Sequence, residues 1–301
     1  MFPVMAAPIA YTGTYTALVT PFRAGGEIDV DALDRLVEDQ IAGGVTGLVP
    51  CGTTGETPCL STDEQLKVIR RVAEISKGRA PIIAGTGSNN TDKSIAQSRA
   101  ALEAGADAVM VVMPYYNKPS QAGMKAHVLA VAKAVDAEVL LYNIPGRSVV
   151  DLTAETLEAI CEAAPNVVAI KDATGNVVRC QETKRRLGDR MKVMSGDDGL
   201  TLGMMACGAG GVISVTGNVL PHRVSEVTTK MAAGDLEGAR RAHLKLLPMH
   251  GAMFAEPNPA PAKAALHLRG KMERVVRLPM LEASDETTDR VKQLLTELGE
   301  L

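Results

Sequence analysis

Eight short apolar runs, recurring at a mean interval of about 28 residues between amphipathic stretches, constrain this 301-residue chain more than any other feature. They begin near Thr14 (TYTALV), Gly47 (GLVPC), Pro81 (PIIAG), Ala108 (AVMVV), Val139 (VLLY), Val167 (VVAIK), Lys192 (KVMS) and Gly210 (GGVIS). Runs that are apolar along their whole length belong to parallel strands covered on both faces. The stretches between them carry helix starts. Asp31 opens ALDRLVEDQIAGG, Ser61 with Glu64 three residues on forms a capping box, and Thr91 and Thr153 open two more helices. Gly43-Gly44, Gly78, Gly105 and Gly188 fall where helices should stop. Eight successive β–α units predict an α/β fold, a (β/α)8 TIM barrel over residues 1–233. An open doubly wound sheet is the rival, but no nucleotide fingerprint favours it. From Gly234 onward three helical patterns (LEGARRAHLKLLPMH, PAPAKAALHLRG, ETTDRVKQLLTELG) predict a small C-terminal helical domain over 234–301.

Composition narrows the function classes. With 46% hydrophobic and 22% charged residues and a net charge of −3, neither disorder nor a nucleic-acid-binding surface is expected. Aromatics are only 3%, so rings for stacking bases are scarce. No apolar run approaches the roughly 18 residues of a membrane span, and the N-terminal MFPVMAAPIA lacks the basic start of a signal peptide. Cys51, Cys59, Cys161, Cys180 and Cys207 are odd in number and scattered, which points to a reducing cytoplasm rather than a disulfide framework. Neither a nucleic-acid nor a membrane partner is expected.

Barrel active sites lie at the carboxyl ends of the strands, so the residues just after each apolar run bear the chemistry. These are Gly52-Thr53-Thr54-Gly55-Glu56, Pro114-Tyr115-Tyr116-Asn117, Tyr142-Asn143-Ile144-Pro145 with Arg147, Lys171-Asp172, Ser195-Gly196-Asp197-Asp198 and Ile213-Ser214. Of the fourteen lysines, Lys171 alone closes an apolar strand on this side. Burial penalises its ammonium, and the neutral amine so favoured forms Schiff bases with carbonyls. A structural ion pair with a barrel carboxylate is the alternative use of such a lysine. Tyr142, Thr54 and Tyr116 offer hydroxyls for a proton relay. Thr53-Thr54 between glycines suits an anion, and Arg147 a second carboxylate. His127, His222, His243, His250 and His267 have no ligand spacing, and no metal site is expected. Gly208-Ala209-Gly210-Gly211 reads as a turn, and Asp197-Asp198 as a helix N-terminus.

These motifs, in this order, and the Glu256-Pro257-Asn258-Pro259 segment resemble the dihydrodipicolinate synthase (4-hydroxy-tetrahydrodipicolinate synthase) family, within the pyruvate-dependent class I aldolase and N-acetylneuraminate lyase superfamily. The likeness runs from about Tyr11 to the C-terminus. It implies a lyase that condenses pyruvate with L-aspartate 4-semialdehyde on the way to diaminopimelate and lysine. It implies no cofactor, since pyruvate is held covalently on Lys171. By the resemblance Tyr142, Thr54 and Tyr116 form the relay, with Tyr116 supplied by a neighbouring subunit of a homotetramer, a dimer of tight dimers. Thr53 helps hold the pyruvate carboxylate, Arg147 receives the semialdehyde carboxylate, and Gly196 and Ile213 complete the substrate site. Lysine-inhibited members carry an effector pocket whose positions here read Pro58, Thr62, Gln65 and Lys93, so weak or absent lysine feedback is expected. Two other readings stand: a pyruvate-dependent aldolase of a 2-keto-3-deoxy sugar acid, and a non-catalytic keto-acid-binding barrel.

Overall fold

The computed structural model describes residues 9–301; the segment MFPVMAAP, which the sequence leaves open as a tail or an extension of the first strand, lies outside them. Strands and helices alternate from the start: β1 (Gly13–Ala17), α1 (Val30–Ala42), β2 (Gly47–Val49), α2 (Thr62–Ser76), β3 (Ile83–Gly85), α3 (Thr91–Glu103), β4 (Ala108–Val112) and α4 (Gln121–Lys133). They continue as β5 (Glu138–Asn143), α5 (Pro145–Ser148), α6 (Ala154–Ala163), β6 (Val167–Asp172), α7 (Val177–Leu187), β7 (Lys192–Ser195), α8 (Thr201–Ala206), β8 (Gly211–Ser214) and α9 (Pro221–Ala232). The three helices expected after Gly234 follow as α10 (Leu236–Ala252), α11 (Ala260–Leu268) and α12 (Asp285–Leu298).

All eight strands pair in parallel in the order β2-β1-β8-β7-β6-β5-β4-β3, and a bridge between Leu48 and Ile82 brings the two ends together. The eight apolar runs thus become the staves of a (β/α)8 barrel. Closure demands close backbone approach at one seam. A Cβ on Gly211 would lie 1.8 Å from the Gly13 carbonyl oxygen, so β8 reaches β1 only because that residue has no side chain.

Capping chemistry explains where the helices begin, with two shifts from the sequence-based expectation. Asp29, not Asp31, caps α1: its backbone stays extended and its carboxylate accepts from the Ala32 N–H at 3.1 Å. Asp31 instead occupies the first turn, where a negative charge faces the helix dipole favourably. Asn90, not Thr91, caps α3, accepting from the Lys93 N–H at 2.9 Å. At α2 the capping box is formed as expected, with Ser61 and Glu64 bonding each other's backbone.

The core has an inner and an outer part. Inside the barrel, Tyr15, Val49, Ile83, Met110, Leu140 and Met194 pack together. Outside, Leu246, Met249, Leu266, Val291 and Leu295 of the C-terminal helices join Leu36, Val219 and Val224 in one apolar cluster. The last three helices therefore share the barrel's outer core. Among the described residues no helix is long and apolar enough to cross a membrane.

Replacing Ser61 with Ala removes half of the α2 capping box and should lower unfolding stability by about 1 kcal/mol in a denaturant titration. An unchanged midpoint would mean that tertiary packing alone holds that helix start.

Candidate active site

Successive strand residues point to opposite faces, and in β6 this alternation selects which side chain enters the barrel. Ala169 and Lys171 point inward, Ile170 joins the outer core, and the Asp172 carboxylate turns to the Thr174 N–H and hydroxyl and to Arg179. Parallel register sets Tyr142 of β5 beside Lys171, and the Lys171 Nζ lies 4.4 Å from the centre of the Tyr142 ring. Lys171 is 4% exposed. Burial pushes its pKa down to about 8; the Asp198 carboxylate opposes this and the Arg147 guanidinium adds to it. Burial likewise pushes the Tyr142 phenol up to about 12, while the Arg147 charge and the nearby Thr53 side chain pull it back. The outcome is an amine that sheds its proton readily, beside a phenol that keeps its own.

The two threonines part company. Residues 53–55 form a single 3-10 turn, which rotates successive side chains by about 120°. Thr53 faces the barrel and meets Tyr142, lining with it, Gly52, Met110 and Tyr115 a cavity of about 150 Å³. Thr54 is buried the other way, where its Oγ1 accepts from the Asn258 Nδ2 at 2.9 Å. Of the two threonines, the structure thus sets Thr53, not Thr54, in the cavity beside Tyr142. The far end of the cavity is lined by Thr57, Pro58, Gln65, Ser88 and Lys93.

Of the other expected residues, Ile213 lies inside the barrel at 1% exposure. Gly196 sits at the rim between β6 and β7, where its N–H donates to the Asp172 carbonyl at 2.7 Å and a Cβ would lie 2.6 Å from that of Ala173. Arg147 is exposed on the short α5, close enough for its charge to act on both Tyr142 and Lys171. Tyr116 is 87% exposed at a positive φ of 71°, and it does not line this cavity.

Several buried groups near the mouth were not singled out by sequence reasoning. Asp197 caps a short turn as expected, accepting from the Gly199 N–H at 2.9 Å. Asp198, however, turns inward and accepts from the Ser214 hydroxyl and from the N–H groups of Val215 (2.8 Å) and Thr216 (3.2 Å). Lys263 of α11 is fully buried against Glu56 at 2.6 Å. The signal for it was a lone charge inside the small-residue run Ala260–Leu268. His243 and His250 are packing residues within α10, their ring centres 5.7 Å apart. Among the described residues no group of three metal-ligating side chains comes together.

The model of the dihydrodipicolinate synthetase family matches residues 10–298 of the chain. The 4-hydroxy-tetrahydrodipicolinate synthase of Sorangium cellulosum is 65% identical over 288 residues, covering 95% of this chain and 96% of the relative. The crystal structure of dihydrodipicolinate synthase from Aquifex aeolicus superposes with a TM-score of 0.94 at 41% identity, over 96% of this chain and 98% of that one. The chloride-inhibited dihydrodipicolinate synthase of Acinetobacter baumannii, solved in complex with pyruvate, gives 0.95 at 40% identity over 97% and 100%.

Because Lys171 titrates near pH 8 and ordinary lysines near 10.5, reductive alkylation by a small aldehyde and cyanoborohydride should reach Lys171 first. Its labelling should rise as the pH climbs through about 8, while the surface lysines lag behind. Peptide mass analysis showing Lys171 labelled only in step with the others would contradict the depressed pKa.

Proposed function

The chain belongs to the dihydrodipicolinate synthetase family, and from that premise we propose that it condenses pyruvate with L-aspartate 4-semialdehyde to give 4-hydroxy-tetrahydrodipicolinate. The observation that carries this reading is the buried amine of Lys171 set by strand register against the Tyr142 phenol. The neutral Nζ attacks the pyruvate ketone carbon, and the resulting carbinolamine loses water when its hydroxyl is protonated. Loss of a methyl proton from the iminium gives an enamine, whose carbon attacks the aldehyde of the second substrate. The amino group of that substrate then adds to the iminium carbon, closing the ring and releasing Lys171. Each of these steps moves a proton at the mouth, where Tyr142 is protonated and within reach.

In this reading the relay runs from Tyr142 to Thr53, because Thr53 is the threonine that lines the cavity beside the phenol. The backbone N–H groups of the Thr53-Thr54 turn support the carboxylate side of pyruvate. Arg147 receives the semialdehyde carboxylate from its exposed position at the rim, and Gly196 and Ile213 border the bound substrates. No cofactor is required, since the lysine supplies the electron sink. The pyruvate complex of the Acinetobacter baumannii relative supports the choice of keto acid. The barrel up to residue 233 is the catalytic unit, and 234–301 the appended helical domain. The enzyme works in the cytoplasm as a homotetramer of tight dimers. Tyr116, exposed in the single chain and held at a positive φ, supports a role completed by a neighbouring copy.

Three outcomes test this reading. Borohydride added with pyruvate should place a mass increase on the peptide containing Lys171, and its absence there removes the Schiff-base mechanism. Tyr142→Phe should keep that adduct while lowering kcat by roughly 10²–10⁴; an unchanged kcat would exclude the phenol from the relay. L-Lysine should inhibit weakly or not at all, because the exposed Lys93 ammonium lines the far end of the cavity and repels a second cation. Half-inhibition at sub-millimolar lysine would overturn that expectation.

A further inference from the structure

The turn that carries Thr53 is tied to the C-terminal helices by a buried charge pair. Glu56 closes the turn at φ 54°, ψ 35°, a left-handed conformation that non-glycine residues keep only where their surroundings over-determine it. Both of its carboxylate oxygens are engaged. Oε1 accepts from the Lys263 Nζ at 2.6 Å and Oε2 from the Arg277 N–H at 2.9 Å. The side chains of Lys263 and Glu56 are 0% and 1% exposed. Lys263 also donates to the Val275 carbonyl at 2.8 Å, and its Nζ lies 4.1 Å from the centre of the Phe22 ring. Burial pulls this ammonium's pKa down and the Glu56 charge holds it up.

A buried ion pair is a poor source of stability, because an apolar pair of the same volume often serves as well. What it provides is direction. The same turn is anchored at Thr54 by Asn258 and at the Gly55 carbonyl by the Thr20 hydroxyl at 2.8 Å. Residues 54–56 are therefore gripped by Thr20 and by the C-terminal segment, while Thr53 at the start of the turn lines the cavity with Tyr142.

The geometry points to Glu56 and Lys263 as positioning residues for the reaction: their ion pair holds the Thr53 hydroxyl against Tyr142, so that α11 sets the proton-transfer geometry without lining the substrate cavity. This inference rests on the reading of Lys171 and Tyr142 as the reacting pair. It extends control of the chemistry to a helix that follows the barrel in sequence.

The test uses the full-length E56Q/K263M and E56Q proteins beside the wild type. In the double variant, circular dichroism should report a folded protein, and borohydride should trap pyruvate on Lys171 to wild-type stoichiometry. Its kcat should fall roughly 10–100-fold, as expected when a catalytic group is displaced by a fraction of an ångström to an ångström. The KM for pyruvate should move by less than about threefold, which separates lost transition-state contacts from lost binding. Exchange of the pyruvate methyl protons in D₂O, followed by NMR, should slow by the same factor as kcat. E56Q retains an acceptor for Lys263 and should lose less. A folded, trapping double variant with kcat within about twofold of wild type overturns the proposal, as does full-speed methyl exchange alongside slowed turnover. If the double variant does not fold, E56Q decides, and wild-type kcat and exchange in it have the same consequence. A wild type that does not trap pyruvate at Lys171 would instead remove the reading of the site, and this inference with it.

Discussion

A lysine ammonium gives up its hydration shell when a closed barrel forms around it, and the chemistry assigned to this protein follows from that electrostatic penalty. Lys171 has no carboxylate within salt-bridge distance among the described residues. The opposing fields of Asp198 and Arg147 leave burial as the dominant influence, and the pKa settles near 8. Its protonation state therefore depends on barrel closure rather than on any single contact. Closure in turn depends on small features far from the amine, such as the absent side chain at Gly211 that lets β8 approach β1.

The chain holds a second buried lysine, whose pKa burial also lowers to about 8, but whose amine is occupied by partners. Lys263 keeps a carboxylate at 2.6 Å and a backbone carbonyl at 2.8 Å, so its charge is compensated and immobile. A buried lysine with its Nζ free can act as a nucleophile, whereas one with its Nζ bonded to Glu56 and Val275 serves as a strut. One loop, residues 52–56, runs between Tyr142 and α11: Thr53 lines the cavity with Tyr142, and the Glu56 carboxylate meets Lys263. The C-terminal helices are thus joined to the barrel by shared apolar core and by a charge pair at the site's edge.

Much of this was legible in the sequence, for identifiable reasons. Strands buried on both faces leave uninterrupted apolar runs, and all eight runs became strands. Ser61 with Glu64 announced α2 because the capping box is a local, four-residue arrangement. Where two candidate caps lay close together, as with Asp29 and Asp31, the choice turned on backbone dihedrals that spacing does not encode. Lys171 and Tyr142 stood out because strand ends at one mouth of a barrel converge by topology alone. Thr53 and Thr54 are neighbours of the same type, and only the rotation of the 3-10 turn separates the one facing the phenol from the one bonded to Asn258. Asp198 and Lys263 were obscured by their settings, one beside an ordinary capping aspartate and the other in a helix that follows the barrel.

By itself the sequence determined the alternation of strands and helices, the strand end that carries Lys171 and the membership of a pyruvate-using family. These follow from hydrophobic period and from motifs that are contiguous in the chain. Only the tertiary structure decided which threonine serves Tyr142, how far the Lys171 pKa falls, and that Glu56 and Lys263, 207 positions apart, share a hydrogen bond. Those properties arise from desolvation and from distances between segments remote in sequence, and both exist only once the barrel has closed.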